Sequence, residues 1–161
     1  LFKINDLDVN NLDVATLNEY YFKTMHHEFT HILNQRKPYD TNYDRITESS
    51  YVGSDWYHIY DEQALQMGFI SPYAMDRGSE DFAEMLSIFV TNTADTWESY
   101  LEAAEPNPNS PYYKAGVDGR AILEQKFDIV YKYMKDSWGV DLYELRDVVQ
   151  RRQGEINTLF N

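Results

Sequence analysis

Residues 27 to 31 of the chain read His-Glu-Phe-Thr-His, within the longer run KTMHHEFTHILNQ at positions 23 to 35. In an α-helix, two residues at this four-residue spacing lie about 40° apart around the axis and one turn apart along it. Two imidazole rings placed in this way can bind one metal ion. The pattern therefore predicts a helix here, with His27 and His31 as metal ligands.

The residues around this motif support a long helix. Asp13 is suited to cap its start, and the helix is expected to end at about Arg36, because the residue before Pro38 is disfavoured in the α region. Apolar residues recur at helical spacing along the run: Val14, Leu17, Tyr21, Phe29, Ile32 and Leu33. We expect the last three of these to dock the helix onto a core.

Glu28 directly follows the first histidine, so its carboxylate can lean over the open side of an ion without binding it. There it can accept a proton from a water molecule whose pKa zinc lowers to about 7. We predict Glu28 as a general base. His26 has Thr30 as its partner four residues on, so it is expected to support a ligand or to face solvent. The alternative is a helix that carries histidines incidentally.

A catalytic zinc site needs a third protein ligand besides an open position. No third histidine follows His31 at the spacing of metzincins, but the run GSEDFAEM at 78 to 85 offers carboxylates. Glu80 could complete the site, and Glu84, four residues on, could accept the other ring N–H of a ligand histidine. The alternative is an ordinary acidic first turn, which the helix dipole favours.

The remaining periodicity predicts a mainly α fold, with little or no β-sheet, in one domain covering residues 1–161. The run LFKINDLDV at the start is compatible with a strand. Trp56 and Trp97 are expected in the core, and Ser79 is expected to cap the helix that carries Glu80. The further predicted helices cover residues 54 to 67, 80 to 92, 93 to 104, 112 to 137 and 141 to 153.

Composition excludes several classes of function. The formal net charge of −13 argues against nucleic acid or an anionic lipid surface as partner, since both need a basic patch. The chain has no cysteine, which rules out disulfides, thiolate metal sites and cysteine nucleophiles. No apolar run is long enough to cross a bilayer. Because the chain starts with Leu1, we expect it to be a C-terminal fragment of a longer protein.

The two motifs together carry a resemblance to known families. HEFTH followed by EDFAE resembles the gluzincin metallopeptidases, in which a second helix supplies a glutamate ligand. The run YAMDRGSEDFAE is similar to the segment of anthrax lethal factor protease and its relatives in which a tyrosine precedes the glutamate by seven positions. The longer pattern through HHEFTHILNQRKPY, YVGSDW, GFISPYA and SEDFAEM resembles the substrate import-associated zinc metallohydrolase lipoproteins of Bacteroidetes.

The resemblance implies a zincin-like fold, in which the motif helix packs against a helical C-terminal half. It implies one zinc ion held by His27, His31 and Glu80, with Glu28 as base. Glu84 would support a ligand, and Tyr73 would donate a hydrogen bond to the oxyanion. Peptides or proteins would be the substrates. The protein would be extracytoplasmic, at the bacterial outer membrane or cell surface through an upstream lipoprotein anchor, and associated with an import complex.

Two other functions stay open from the sequence. The domain could be a non-catalytic, zinc-stabilised component of an outer-membrane nutrient uptake system. Alternatively, Glu28-x-x-His31 could be one half of a di-iron carboxylate site. The second half would then have to be Asp55-x-x-His58, which has aspartate where that site has glutamate.

Overall fold

The structure of the protein is a computed structural model that describes residues 13–159. The predicted mainly α fold is confirmed, since the described residues contain helices and no strand. The strand predicted for LFKINDLDV lies outside the described residues. The α-helices are α1 Val14–Leu17, α2 Lys23–Arg36, α3 Asn42–Ile46, α4 Asp61–Gln66, α5 Gly78–Thr91, α6 Ala94–Ala103, α7 Gly119–Trp138 and α8 Leu142–Leu159.

The long helix predicted from Asp13 to Arg36 is present, with one irregularity. A π-helical turn, Asn18–Phe22, joins α1 to α2 without a break. The carboxylate of Asp13 caps the start by accepting the backbone N–H of Thr16 at 2.9 Å. Lys37, directly before Pro38, is extended (φ −135°, ψ 104°) and ends α2 as the proline rule requires.

The faces of α2 are arranged differently from the prediction. Phe29 is 50% exposed and Ile32 is 40% exposed, so these two residues do not dock the helix. Leu33 alone of the three packs against the core, and the buried positions of α2 are His27 and Thr30. The prediction was wrong because apolar spacing shows that a helix has an apolar stripe, but not which of its faces the neighbouring helix covers.

Helix α5 lies at the centre of the molecule. Every residue from Asp81 to Thr91 is buried, and the helix packs against α2, α7 and α8. It begins at Gly78, after an extended Arg77, and it has no side-chain cap, so the prediction of Ser79 as the cap was wrong. A Cβ atom on Gly78 would lie 2.1 Å from Oδ1 of Asp44. Glycine therefore lets the start of α5 approach α3 closely.

The connection between α2 and α5 holds more structure than the sequence indicates. The helix predicted for residues 54 to 67 is two elements, the 3₁₀ segment Gly53–His58 and α4, separated by extended Ile59 and Tyr60. Two further 3₁₀ segments, Glu48–Ser50 and Tyr73–Met75, lie on either side. The segment Tyr73–Met75 packs directly against α5. The connection thereby places Tyr73 next to the helix that carries Glu80.

The C-terminal half follows the prediction more closely. Thr93 caps α6 and Asp118 caps α7, each through a side-chain oxygen that accepts a backbone N–H. Gly139 ends α7 in the left-handed conformation (φ 68°), which glycine adopts without a steric penalty. Helix α7 starts seven residues later than predicted and ends one residue later, whereas α8 starts one residue later and ends six residues later. Within residues 13–159, none of the helices has the length and apolar character that a membrane span requires.

Candidate metal centre

His27 and His31 lie one turn apart on α2, on the side that faces α5. Their Nε2 atoms are 3.1 Å apart, and the two rings meet edge-on at a centroid distance of 4.8 Å. The His27 side chain is 6% exposed, whereas that of His31 is 23% exposed. The pair therefore has one nitrogen held inside the protein and one at the rim of the site.

Glu80 reaches this pair from the first turn of α5. Its Oε2 atom lies 3.0 Å from Nε2 of His27 and 3.1 Å from Nε2 of His31. Together with the 3.1 Å between the two nitrogens, these distances form a nearly equilateral triangle of donor atoms. The structure thus brings together the three residues predicted as ligands. Among residues 13–159, they are the one group of three or more His, Asp or Glu side chains that could hold a metal ion.

The triangle has the size that a zinc ion requires. Ligands bonded at about 2.0–2.1 Å around a tetrahedral ion lie about 3.3 Å from one another. The observed 3.0–3.1 Å is slightly shorter, so an ion could bond to all three atoms from a point just above their plane. Such an ion would keep its remaining position on the open side.

The hydrogen-bonding pattern also favours a cation at this point. Nδ1 of His27 lies 2.9 Å from Oε1 of Glu84, and a nitrogen that faces a carboxylate carries the proton. Nε2 of a neutral His27 then presents a lone pair to the Glu80 oxygen. Burial alone would lower the pKa of His27, but hydrogen bonds and charge from Glu84 and Glu80 outweigh burial and raise it. A bound cation would remove the need for that extra proton.

Glu84 is held as a carboxylate by three donors. Besides His27, its Oε2 atom accepts from Lys23 Nζ at 3.0 Å and from Ser71 Oγ at 2.7 Å. Burial alone would raise the pKa of Glu84. The hydrogen bonds from His27 and Ser71 and the charge of Lys23 outweigh burial and lower this pKa to about 2. Glu84 is therefore ionised at neutral pH and fixes both the tautomer and the ring orientation of His27.

Tyr73 lies against the same centre. The centroid of its ring lies 5.6 Å from that of the His27 ring, at an interplanar angle of 30°. Burial and the negative charge of Glu80 raise the pKa of Tyr73 to about 12. The hydroxyl consequently keeps its proton at neutral pH and can act as a hydrogen-bond donor.

Comparison with known proteins agrees with this geometry. Residues 1–143 of the chain match the family described as "putative zinc-binding metallo-peptidase". The chain belongs to this family. A crystal structure described in the same words, from Bacteroides caccae ATCC 43185, superimposes with a TM-score of 0.82 at 41% sequence identity. No curated protein matches the chain.

The chain spans only part of that family relative. The superposition covers 99% of this chain but 56% of the relative's chain, a little over half of its length. The relative is described by zinc binding and peptidase character alone.

The remaining predicted residues take different positions. Glu28 is exposed, beside His27 on the solvent side of α2. His26 is half-buried and, with Phe22 and Val149, lines a separate cavity of about 250 Å³ between α2 and α8. Asp55 and His58, the second half of the di-iron alternative, form no metal-binding group within the described part of the chain. The di-iron prediction is therefore wrong for residues 13–159.

Sequence reasoning missed two residues that support the centre. Lys23 and Ser71 were not singled out, although both bond to Glu84. Lys23 carries a recognisable signal, because it stands four residues before His27 and so shares its helix face. Ser71 carries none, since its position depends on how the connection between α4 and α5 folds.

Proposed function

We propose that the protein is a zinc-dependent metallohydrolase, most specifically a peptidase that uses water as nucleophile and a glutamate as general base. The observation that carries this proposal is the triangle of Nε2 of His27, Nε2 of His31 and Oε2 of Glu80, with sides of 3.0–3.1 Å. Its size suits zinc, and its three protein ligands leave one position open, as in catalytic zinc sites.

The chain's own residues would divide the work as follows. A zinc ion at the triangle supplies Lewis acidity, which lowers the pKa of water and polarises a carbonyl group. Glu28, exposed beside the first ligand, takes a proton from the attacking water and returns it to the leaving nitrogen. Tyr73, protonated at neutral pH, donates a hydrogen bond to the oxygen on which negative charge develops.

This assignment follows the gluzincin pattern, with the seven-residue spacing of Tyr73 and Glu80 that resembles lethal factor. Peptide or protein substrates fit the family description. An extracytoplasmic location and association with an outer-membrane import complex remain predictions from the sequence resemblance.

The decisive variant is Glu28→Gln. It removes the proton acceptor but none of the three metal donors, so we expect one zinc per chain to be retained. Hydrolysis of a peptide library should fall by about 10²–10⁴-fold, the usual contribution of a general base. The measurements are metal analysis and mass-spectrometric detection of cleavage on the same zinc-loaded sample.

The matched control is Glu102→Gln, which removes an exposed glutamate from α6, away from the centre. Its activity should equal that of the unmodified chain. Full activity of Glu28→Gln would remove Glu28 from the mechanism. Stoichiometric zinc with no cleavage by the unmodified protein, and a chelator-insensitive background, would instead favour the non-catalytic, zinc-stabilised role.

A further inference from the structure

A series of aromatic rings leads from the metal centre to the surface. The ring centroids of His27 and Tyr73 lie 5.6 Å apart, and those of Tyr73 and Trp56 lie 5.0 Å apart. Trp56 then contacts Tyr57 at 6.4 Å, and Tyr57 contacts His58 at 4.0 Å. We call these five residues the aromatic row. Trp56 was predicted in the core, but it is half-buried, and Tyr57 is 64% exposed.

The outer part of the row is firmly attached to the part that touches the centre. The backbone N–H of Val52 donates to the carbonyl of Met75 at 2.8 Å, and that of Gly53 donates to Asp76 at 3.2 Å. These two bonds join the start of the 3₁₀ segment Gly53–His58 to the segment that carries Tyr73. Gly53 has a φ of 60°, which lets the chain turn there without strain. These bonds hold the backbone at the start of the segment that carries Trp56 and Tyr57 against the backbone around Tyr73.

The exposure of Tyr57 is not explained by the packing of the fold. Its recorded ring contacts are to Trp56 and His58, which lie in the same 3₁₀ segment. An exposed aromatic ring beside a candidate active site is typical of binding surfaces, where tyrosine and tryptophan supply contact area at a low cost in conformational entropy.

The geometry of the row indicates which kind of group would extend it. Trp56 meets Tyr73 at an interplanar angle of 68° and meets Tyr57 at 88°, both edge-to-face. Another aromatic ring, or a large apolar side chain, can continue such an arrangement.

We propose that Trp56 and Tyr57 form a binding ledge for an aromatic or large apolar side chain of a peptide substrate, close to the bond that is cleaved. They are specificity-determining residues, while Tyr73, next to His27 in the row, contacts the reacting group. This inference rests on the proposed peptidase function, which it extends to a class of substrate.

The test uses three short peptide hydroxamates that differ only in one side chain, phenylalanine, alanine or lysine. The hydroxamate group chelates zinc, so binding needs no turnover. Isothermal titration to the zinc-loaded protein should give about tenfold tighter binding of the phenylalanine compound than of the alanine compound, the upper range for one aromatic pair. The lysine compound should bind no better than the alanine compound.

Variants of Tyr57 test whether its ring causes the preference for the phenylalanine compound. Tyr57→Ala should reduce the phenylalanine preference to about twofold or less, and Tyr57→Phe should keep it, because the ring remains. Tyr60→Ala is the matched control, since Tyr60 is 68% exposed but pairs with Tyr112, outside the row. Its preference should equal that of the unmodified protein. Because Tyr57 is exposed, its variants are expected to fold, which a thermal melt verifies.

Four results would contradict the proposed binding role of Trp56 and Tyr57. The phenylalanine and alanine compounds could bind equally well, or the lysine compound could bind more tightly than the alanine compound. No hydroxamate could bind to the zinc-loaded protein, or the preference for the phenylalanine compound could persist in Tyr57→Ala. The failure of the two proposals can be told apart. If peptides are cleaved without any side-chain preference, the binding role of Trp56 and Tyr57 is refuted and the peptidase function stands. If binding depends on the Tyr57 ring but no peptide is cleaved, the peptidase function is refuted and the binding role stands.

Discussion

Glu84 shows how one buried carboxylate organises the metal centre. Its Oε1 atom orients His27, and its Oε2 atom is bound by Ser71 and by the ammonium group of Lys23. A carboxylate this deep in the protein stays charged only because donors replace its water. Lys23 carries the single formal positive charge among these donors when His27 is neutral. It therefore supports a ligand that it does not touch.

We predict that Lys23→Met weakens zinc binding by about tenfold, the lower end of the effect of groups that orient metal ligands. Lys23→Arg should restore much of the affinity, because arginine keeps the charge and can reach the same oxygen. Affinity is measured by competition with a chelating dye.

The matched control for this prediction is Lys132→Met, which removes an exposed lysine from α7. Its zinc affinity should equal that of the unmodified chain. Zinc binding by Lys23→Met at unchanged strength would show that Ser71 and His27 alone hold Glu84 in place.

At the scale of elements, the junction between α7 and α8 depends on Asp141. Its Oδ1 atom accepts the backbone N–H of Tyr143 at 3.0 Å, so it caps α8. Its Oδ2 atom accepts from the hydroxyl of Tyr131 at 2.8 Å and from Lys135 at 3.2 Å, both on α7. The Tyr131 hydroxyl, more than Lys135 and the backbone, lowers the pKa of Asp141 to about 2.

This shift predicts a pH dependence with a definite sign. A folded-state pKa below the ordinary value of 3.8 means that Asp141 stabilises the fold above about pH 4. That contribution is lost as the pH falls from about 4 to about 2. In urea titrations, Asp141→Asn should be less stable than the unmodified chain at pH 7, and the difference should shrink towards pH 2. Asp128→Asn, an exposed change on α7, is the control.

The difference in the free energy of unfolding between Asp141→Asn and the unmodified chain could instead stay constant over this pH range. That result would show that the shape of the side chain, and not its charge, stabilises the junction.

At the scale of the whole molecule, a buried ion pair joins parts of the core that are distant in sequence. Nζ of Lys126 on α7 lies 2.6 Å from Oδ2 of Asp81 on α5, and both side chains are fully buried. Lys126 also donates to the carbonyl of Gly68 at 2.9 Å and lies 3.8 Å above the ring of Phe69. Burial raises the pKa of Asp81 and lowers that of Lys126, while each charge opposes the shift of the other.

We predict that Lys126→Met lowers the free energy of unfolding by about 3–5 kcal/mol, because it leaves the Asp81 carboxylate buried without its counter-charge. The double variant Lys126→Met with Asp81→Asn should be more stable than this single variant, since no unpaired charge remains. Guanidinium titrations at pH 7 measure both. A double variant no more stable than Lys126→Met would mean that packing around the lysine stem, not charge, dominates.

The sequence contains the local part of this structure and little of the long-range part. The helical class, the extent of the helix through His27 and the end before Pro38 follow from periodicity and backbone sterics. The convergence of Glu80 on the histidine pair was predicted from motif spacing together with a family resemblance. The exposed positions of Phe29 and Ile32 were not predicted, because the packing of neighbouring helices determines which face of α2 is covered.

The pairs of charged residues that support the centre and the core could not be predicted from the sequence either. Lys23 and Glu84 are 61 residues apart, and Asp81 and Lys126 are 45 apart. A single sequence holds no periodicity that links positions at such separations. These contacts arise only when α5 is enclosed by α2 and α7.

The π turn Asn18–Phe22 has one more consequence. Asn18 donates to the carbonyl of Thr91 at 2.8 Å and accepts from Gln153 at 2.9 Å, thereby tying the end of α5 to α8. A π turn contains one residue more than an α turn, and one residue corresponds to about 100° of rotation. Deleting a single residue there would swing Asn18 away from both helices. The chain should accordingly accept changes of residue type in this turn more readily than changes in its length.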